Sequence, residues 1–200
     1  MPNHITNILT IDKNQDEIAE LMQNGEEKFD FNRIIPMPKE LEGTNSPARI
    51  VPNDKIEKEL LVWEEANKEK DSLLKMGRPI STTESIDLIN KYGADNWHDW
   101  CIANWGTKWN SYEVSYSDNK KKIVFDTAWS CPLPVIEALS KKFSDTTFTL
   151  KYADEDIGNN CGTIVLFNGE ILSEEEGDDK FACEVKGYDY EELLREREEN

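Results

Sequence analysis

Apolar and polar residues alternate at the start of the chain: Ile5, Leu9 and Ile11 fall on one side, with His4, Thr6 and Thr10 on the other. A period of two is that of a strand with one covered face, so a first strand is expected from about Asn3 to Ile11. The period then lengthens. Ile18, Ala19, Leu21 and Met22 fit a short helix capped by Asp12 or Asn14 and closed at Gly25. In FDFNRIIPMP, Pro36 and Pro38 exclude a regular helix and predict an extended segment, with Phe29, Phe31, Ile34, Ile35 and Met37 packed on the sheet or over its edge. From 42 to 52 the residues are those of a loop.

Asp54 can cap a long amphipathic helix in which Ile56, Leu60, Trp63 and Asn67 share a face, its pattern fading near Gly77 and Pro79. Ser81 with Glu84 makes a capping box for a second helix, carried by Ile86, Ile89 and Tyr92 to Gly93. Four of the six tryptophans then fall between Tyr92 and Asn110. Trp97, Trp100, Cys101, Asn104 and Trp105 have the spacing of one helical face, with Asn96 as N-cap and Gly106 at C′.

Tyr112, Val114 and Tyr116 alternate, 117–120 supply turn residues, and Ile123, Phe125 and Trp129 share a face of a returning strand, which together predict a hairpin. Pro132 and Pro134 open a helix lined by Val135, Ile136, Leu139 and Phe143. Phe148, Leu150 and Tyr152 mark another strand, and 163–167 one more, paired antiparallel with it. Beyond Gly169 the pattern thins. SEEEGDD reads as a solvated loop, FACEVKGYDY as a short peripheral strand, and EELLREREEN as a fraying helix.

Strand, helix, hairpin, helix, strand is the split β-α-β-β-α-β order of a ferredoxin-like α+β fold. The expected architecture is an antiparallel sheet with helices on one face, a helical insertion at about 39–91 in the first crossover, and an added edge strand. This divides the chain into a domain at 1–169 and an acidic extension at 170–200. With few apolar residues in the extension, its removal is expected to leave the sheet folded.

Charge changes this picture most where it is concentrated. Asp154–Asn200 holds sixteen Asp and Glu against four Lys and Arg, a net of −12 out of −18 for the chain. Such a field repels phosphate backbones, so the acidic region is not expected to bind nucleic acid directly, whereas a basic or nucleic-acid-handling protein would be attracted. Glu174, Glu175, Glu176, Asp178 and Asp179 are the candidate partner-binding surface; the plainer reading is a solvated face that keeps the protein soluble. No stretch of eighteen apolar residues occurs and no basic-then-apolar leader opens the chain, so no membrane partner is expected and the cytoplasm is the expected compartment. Cys101, Cys131, Cys161 and Cys183 form no C-x-x-C pair and read as reduced core thiols.

Catalytic motifs are missing from the sequence: no GxGxxG, Walker loop or HExxH occurs, and no cofactor or metal is implied. His98 and Cys101 are three apart on the Trp helix, suggestive of an activated thiol, yet no orienting third group is evident. Asp154 and Asp156 could face a divalent ion, against the plainer reading of a solvated strand end. Asp126 lacks an obvious carboxylate partner on the neighbouring strand. Trp105, Lys108, Trp109 and Asn110 could form a stacking platform for a base or a cationic group, or else indoles sealed by a snorkelling lysine.

The segments MPNHITN, FDFNRIIPMP, YGADNWHDWCIANWGTKWN, FDTAWSCPLPVIEALSKKF and YADEDIGNNCGTI together resemble the YubB-like ferredoxin-fold proteins of phages and plasmids, a family of unknown function. The resemblance covers roughly 1–168 and implies a ferredoxin-like sheet and a mobile-element origin. The reading that follows is a non-catalytic accessory protein that binds a protein partner, in its sharper form an acidic nucleic-acid mimic that blocks a host defence system, as anti-CRISPR or anti-restriction proteins do. The alternative is an enzyme or nucleotide-like small-ligand binder built on 96–110. Oligomeric state is not encoded in any pattern found.

Overall fold

The computed structural model describes residues 3–68 and 77–199. They group into two compact units, one made of 1–36 with 105–200 and the other of 37–104. In the first, β1 (His4–Ile11) is followed by α1 (Gln15–Met22). The second unit contributes β2 (Ile50–Val51), α2 (Ile56–Ala66), β3 (Ile80–Ser81), α3 (Thr82–Tyr92) and the start of α4 (Trp97–Trp105). The first unit then resumes with β4 (Tyr112–Tyr116), β5 (Lys122–Ala128), α5 (Leu133–Lys142), β6 (Thr147–Asp154), β7 (Gly162–Phe167), β8 (Glu170–Glu176), α6 (Asp179–Lys186) and α7 (Tyr190–Glu199).

The six strands of the first unit form one sheet in the order β4-β5-β1-β6-β7-β8, with every neighbouring pair antiparallel. Its first four strands have the ferredoxin-like order, and the fold is α+β as the sequence pattern predicts. Ile5, Leu9 and Ile11 point to the same side as Ile123, Phe125, Phe148 and Leu150, and all are closed to solvent. Ile18 and Met22 of α1 and Val135, Ile136 and Leu139 of α5 supply the buried side chains of the helical layer.

The last thirty residues depart from expectation. The SEEE of SEEEGDD is not loop: 170–176 pairs with β7 as a second added strand, from Phe167 opposite Glu170 to Gly162 opposite Glu176, and only Gly177 and Asp178 link it to the next helix. FACEVK is not a strand either. It is α6, capped by Asp178, whose carboxylate accepts from Phe181 N at 2.8 Å, and closed at Gly187. Ala182, Cys183 and Val185 are buried, and Ala182 and Val185 cluster with Ala153, Cys161 and the half-buried Ile8. Ile8 and Ala153 face away from the Phe125 side, so this helix covers the other face of the sheet, and helices are not confined to one face.

In the second unit, the capping box forms as its spacing predicts: Ser81 Oγ accepts from Glu84 N at 3.0 Å, and Gly93 closes the helix with φ 79°. Residues expected to be loop supply β2, which pairs in parallel with β3. α2 has no buried residue and shows Leu61 and Val62 to solvent. α2 ends at Ala66, and the chain at Gly77 and Pro79, where the pattern fades in sequence, is not helical; 69–76 lie outside the described residues.

The burial of α6 reverses the expected effect of truncation. Ending the chain at Gly169 strips the partner strand from β7 and uncovers Ile8, Ala153 and Cys161. The truncated chain should lose its cooperative thermal transition, and Val185→Ala alone should cost about 1–3 kcal/mol in denaturant unfolding. A truncated chain melting at the full-length temperature would refute this assignment.

Candidate functional site

The Trp-rich segment resolves into an inner and an outer set. Asn96 caps α4, its Oδ1 accepting from Asp99 N at 3.0 Å. Trp105, at the other end, is 3% exposed, gives its Nε1 proton to Ile35 O at 2.8 Å, and meets Phe31 edge-on. Gly106 turns the chain with φ 76°, and a Cβ there would lie 2.8 Å from Pro134 Cδ. The following residues are locked to the end of β5: Thr107 Oγ1 donates to Ala128 O at 2.7 Å and accepts from Ala128 N at 3.1 Å.

Asn110 is also an inner residue. Its Oδ1 accepts from the backbone N–H groups of Phe31 and Ser111, both at 2.9 Å, and its Nδ2 donates to Asp30 Oδ1 at 2.7 Å. Asp30 further accepts from Asn24 Nδ2 at 2.7 Å and Asn32 N at 2.9 Å. Burial pushes the Asp30 carboxyl up, but the donors from Asn24, Asn32 and Asn110 together outweigh it and hold the group below the ordinary carboxylate range. This knot pins Phe29 and Phe31, both fully buried, against Phe125.

Lys108 and Trp109 form the outer set, joined by a residue that the strand period places on the buried face. Trp129 lies one residue past β5 with φ 72°, a left-handed conformation costly for a bulky side chain, and its indole turns outward at 42% exposure. Its backbone is held at both ends: N donates to Asn3 O at 2.9 Å, and O accepts from Asn160 Nδ2 at 3.0 Å. Lys108 Nζ lies 4.5 Å from the centroid of the Trp129 ring and 4.9 Å from that of Trp109. Of the four residues proposed as a platform, two therefore serve the interior and two stand at the surface.

At the same end of the sheet is a group that sequence reasoning did not assemble. His4 Nδ1 and Tyr112 Oη are 2.6 Å apart, and Asp126 lies across from both Thr6 and Tyr112. Burial, reinforced by the negative charges of Asp126, Glu155 and Glu113, raises the Tyr112 hydroxyl to about 12. It stays protonated at neutral pH. Strand register alone would have brought Asp126 beside Tyr112, but the His4 contact spans an intervening strand and leaves no trace in local spacing.

The acidic candidates divide in a similar way. Glu174, Glu175 and Glu176 lie on β8, the outermost strand, every residue of which is exposed. No described Lys or Arg forms an ion pair with them. Asp178 caps α6, while Asp179 is paired with Arg197. Asp154 is held by Asn3 Nδ2 at 3.0 Å, Asp156 N at 3.0 Å and Asn160 Nδ2 at 3.2 Å, so its oxygens are already engaged by amide donors. Among the described residues, no group of three or more His, Cys, Asp or Glu is placed to hold a metal ion.

The thiols are electrostatically quiet. Burial raises Cys101 to about 12, and its Sγ lies 3.9 Å from Met37 Sδ, while His98 Nδ1 is 3.0 Å from Asp99 Oδ1. Burial likewise raises Cys131 to about 12. An activated thiol needs the opposite shift.

With the geometry established, residues 104–198 match the profile of a family described as the ferredoxin-like domain in Api92-like protein. The chain thus carries a ferredoxin-like domain on a mixed helix and antiparallel-sheet architecture. A solved structure of a protein api92 from Yersinia pseudotuberculosis is similar over 88% of this chain and 98% of that one, at 11% identity and a TM-score of 0.49. No curated protein matches the chain in sequence. Among the described residues, no helix is long and apolar enough to cross a membrane.

Two outcomes follow. Asp30→Asn should destabilise the protein by about 1–3 kcal/mol, because it replaces a charged acceptor by an amide among buried donors; denaturant titration reads the change, and an unaltered midpoint would remove the knot's importance. The raised thiols should resist alkylation at pH 8. Their folded-state values lie above the ordinary 9.0, so the unfolded chain ionises first and the stability they contribute should fall between pH 9 and about 12. Rapid labelling of Cys101 in the native state would contradict the burial argument.

Proposed function

We propose that the protein is a non-catalytic binding module whose acidic surface captures a basic, nucleic-acid-handling protein. The observation that carries this reading is β8, an edge strand exposed along its whole length, with Glu174, Glu175 and Glu176 in sequence and unpaired with any described cation. Side chains alternate along a strand, so Glu174 and Glu176 share one side at a spacing of about 6.8 Å while Glu175 stands on the other. Asp178, exposed at the N-terminus of α6, continues the negative surface beyond the strand, whereas Asp179 is paired with Arg197.

The YubB-like resemblance belongs to this proposal, as does the phage or plasmid origin it implies. An accessory protein of a mobile element that presents a nucleic-acid-like charge pattern suits an inhibitor of a host defence system. It would act by occupying a basic groove, needing neither cofactor nor metal, from the host cytoplasm.

Affinity capture from host lysate tests the reading. At low salt the full-length chain should enrich basic, nucleic-acid-handling proteins, and raised salt should release them. The triple variant Glu174→Gln, Glu175→Gln, Glu176→Gln should bind a captured partner on the order of ten times more slowly at low salt while melting as the parent does. Recovery of no basic or nucleic-acid-handling protein at either salt concentration would overturn the proposal, as would a captured partner that still binds DNA normally.

A further inference from the structure

Trp129 is the feature of the surface that neither the fold nor the acidic strand explains. A large residue with φ 72° stores strain, and strain of this kind persists where the surroundings enforce it. Here they do: Asn3 O accepts from its N–H and Asn160 Nδ2 donates to its carbonyl. The result is an indole turned out to 42% exposure instead of joining Ile123 and Phe125 inside. Trp109 stands beside it, and the ammonium of Lys108 lies over both rings. The chain's own cation thus marks these ring faces as a seat for positive charge.

The surroundings are negative. The amide of Asn160 that holds the Trp129 carbonyl also donates to Asp154, and Glu155 and Asp156 are exposed in the same turn. Glu155 N donates to His4 O, the residue next to Asn3, which accepts from Trp129 N, so the acidic turn and Trp129 are both tied to the start of β1. A phosphate-bearing ligand is disfavoured by these carboxylates. An exposed aromatic with an acidic margin suits a planar cation, and tryptophan is among the residues most often found as an energetic anchor in protein interfaces.

We propose that Trp129, with Trp109 beside it, is an anchor for an arginine of the basic partner, whose guanidinium stacks on the exposed indole in place of the Lys108 ammonium while the exposed carboxylates of Glu155 and Asp156 receive its charge. The inference rests on the protein-binding reading above and adds to it a second contact point, away from β8, and a preference for arginine over lysine. That preference arises because guanidinium is planar, weakly hydrated and stacks on aromatic faces, whereas ammonium is a compact and strongly hydrated charge.

Two peptides of equal length and charge serve as probes, one alternating arginine with glycine and the other lysine with glycine. The native full-length chain should bind the arginine peptide about fivefold more tightly, and the indole Nε1–H resonance of Trp129, assigned with Trp129→Phe, should shift on titration. Trp129→Ala should abolish the arginine preference while keeping the lysine-peptide affinity and its salt dependence; Trp129→Phe should retain part of it. If the Trp129 resonance stays still while the arginine peptide binds the native chain, the anchor is refuted and the acidic-surface reading stands. Retention of the arginine preference in a folded Trp129→Ala has the same meaning. If neither peptide binds the native chain at low salt, both readings fall. Should Trp129→Ala fail to fold, the resonance in the native chain decides alone.

Discussion

The arrangement of the whole first unit depends on β1 being paired on both sides. It is hydrogen-bonded to β5 from His4–Ala128 to Thr10–Lys122, and to β6 from Ile5–Asp154 to Ile11–Phe148. These partners begin more than a hundred residues downstream, so the strand made first has its backbone groups satisfied last. An interior strand left unpaired on either side would bury polar groups without partners. The central position also explains Asn7, a wholly buried amide on this strand. Its Nδ2 is shared among Ile5 O, Phe125 O and Thr127 Oγ1, which ties β1 to the end of β5 beyond what the ladder supplies, while its Oδ1 has no protein partner.

Everything displayed at that end of the sheet follows from this closure. β5 stops at Ala128, where Thr107 takes over its hydrogen bonds, and the chain reverses through a left-handed Trp129 held by Asn3. The Asp30–Asn110 knot performs the equivalent task on the approach to β4, fixing Phe29 and Phe31 under Trp105 and Phe125. Side chains used for fastening are thereby removed from recognition. What remains at the surface is Lys108, whose ammonium lies over the Trp109 and Trp129 rings, together with the exposed carboxylates of Glu155 and Asp156.

How much of this was legible depended on whether a residue's environment was set locally. The ferredoxin-like core was legible because its strands alternate in burial and α5 opens on a proline, and α3 of the second unit was legible from its Ser81–Glu84 cap. β8 was not, because both its faces are exposed and no alternation marks it. α6 was misread because the side chains it buries, Ala182, Cys183 and Val185, are small or β-branched, and FACEV alternates as well as it turns. At the candidate site the helical spacing of Trp105 correctly suggested a core role. Trp129 kept the strand period in sequence but not in space, since a single positive φ reverses the side on which a residue emerges. Nothing short of the long-range bonds from Asn3 and Asn160 could have revealed it.

An acidic edge strand admits two physical explanations that make different demands on its residues. Protection against edge-to-edge pairing requires a charge or two, and lysine is the usual choice, because one desolvated ammonium suffices to oppose a new strand. β8 instead carries three consecutive glutamates in a chain already at −18, where further negative charge adds self-repulsion and solubility is not in short supply. Its two apolar residues, Ile171 and Leu172, are also left open to solvent at the other end of the strand. Three of the four glutamates of β8 gather at the end where the chain turns into α6, with Glu170 alone at the other end, a clustering that edge protection by itself does not require.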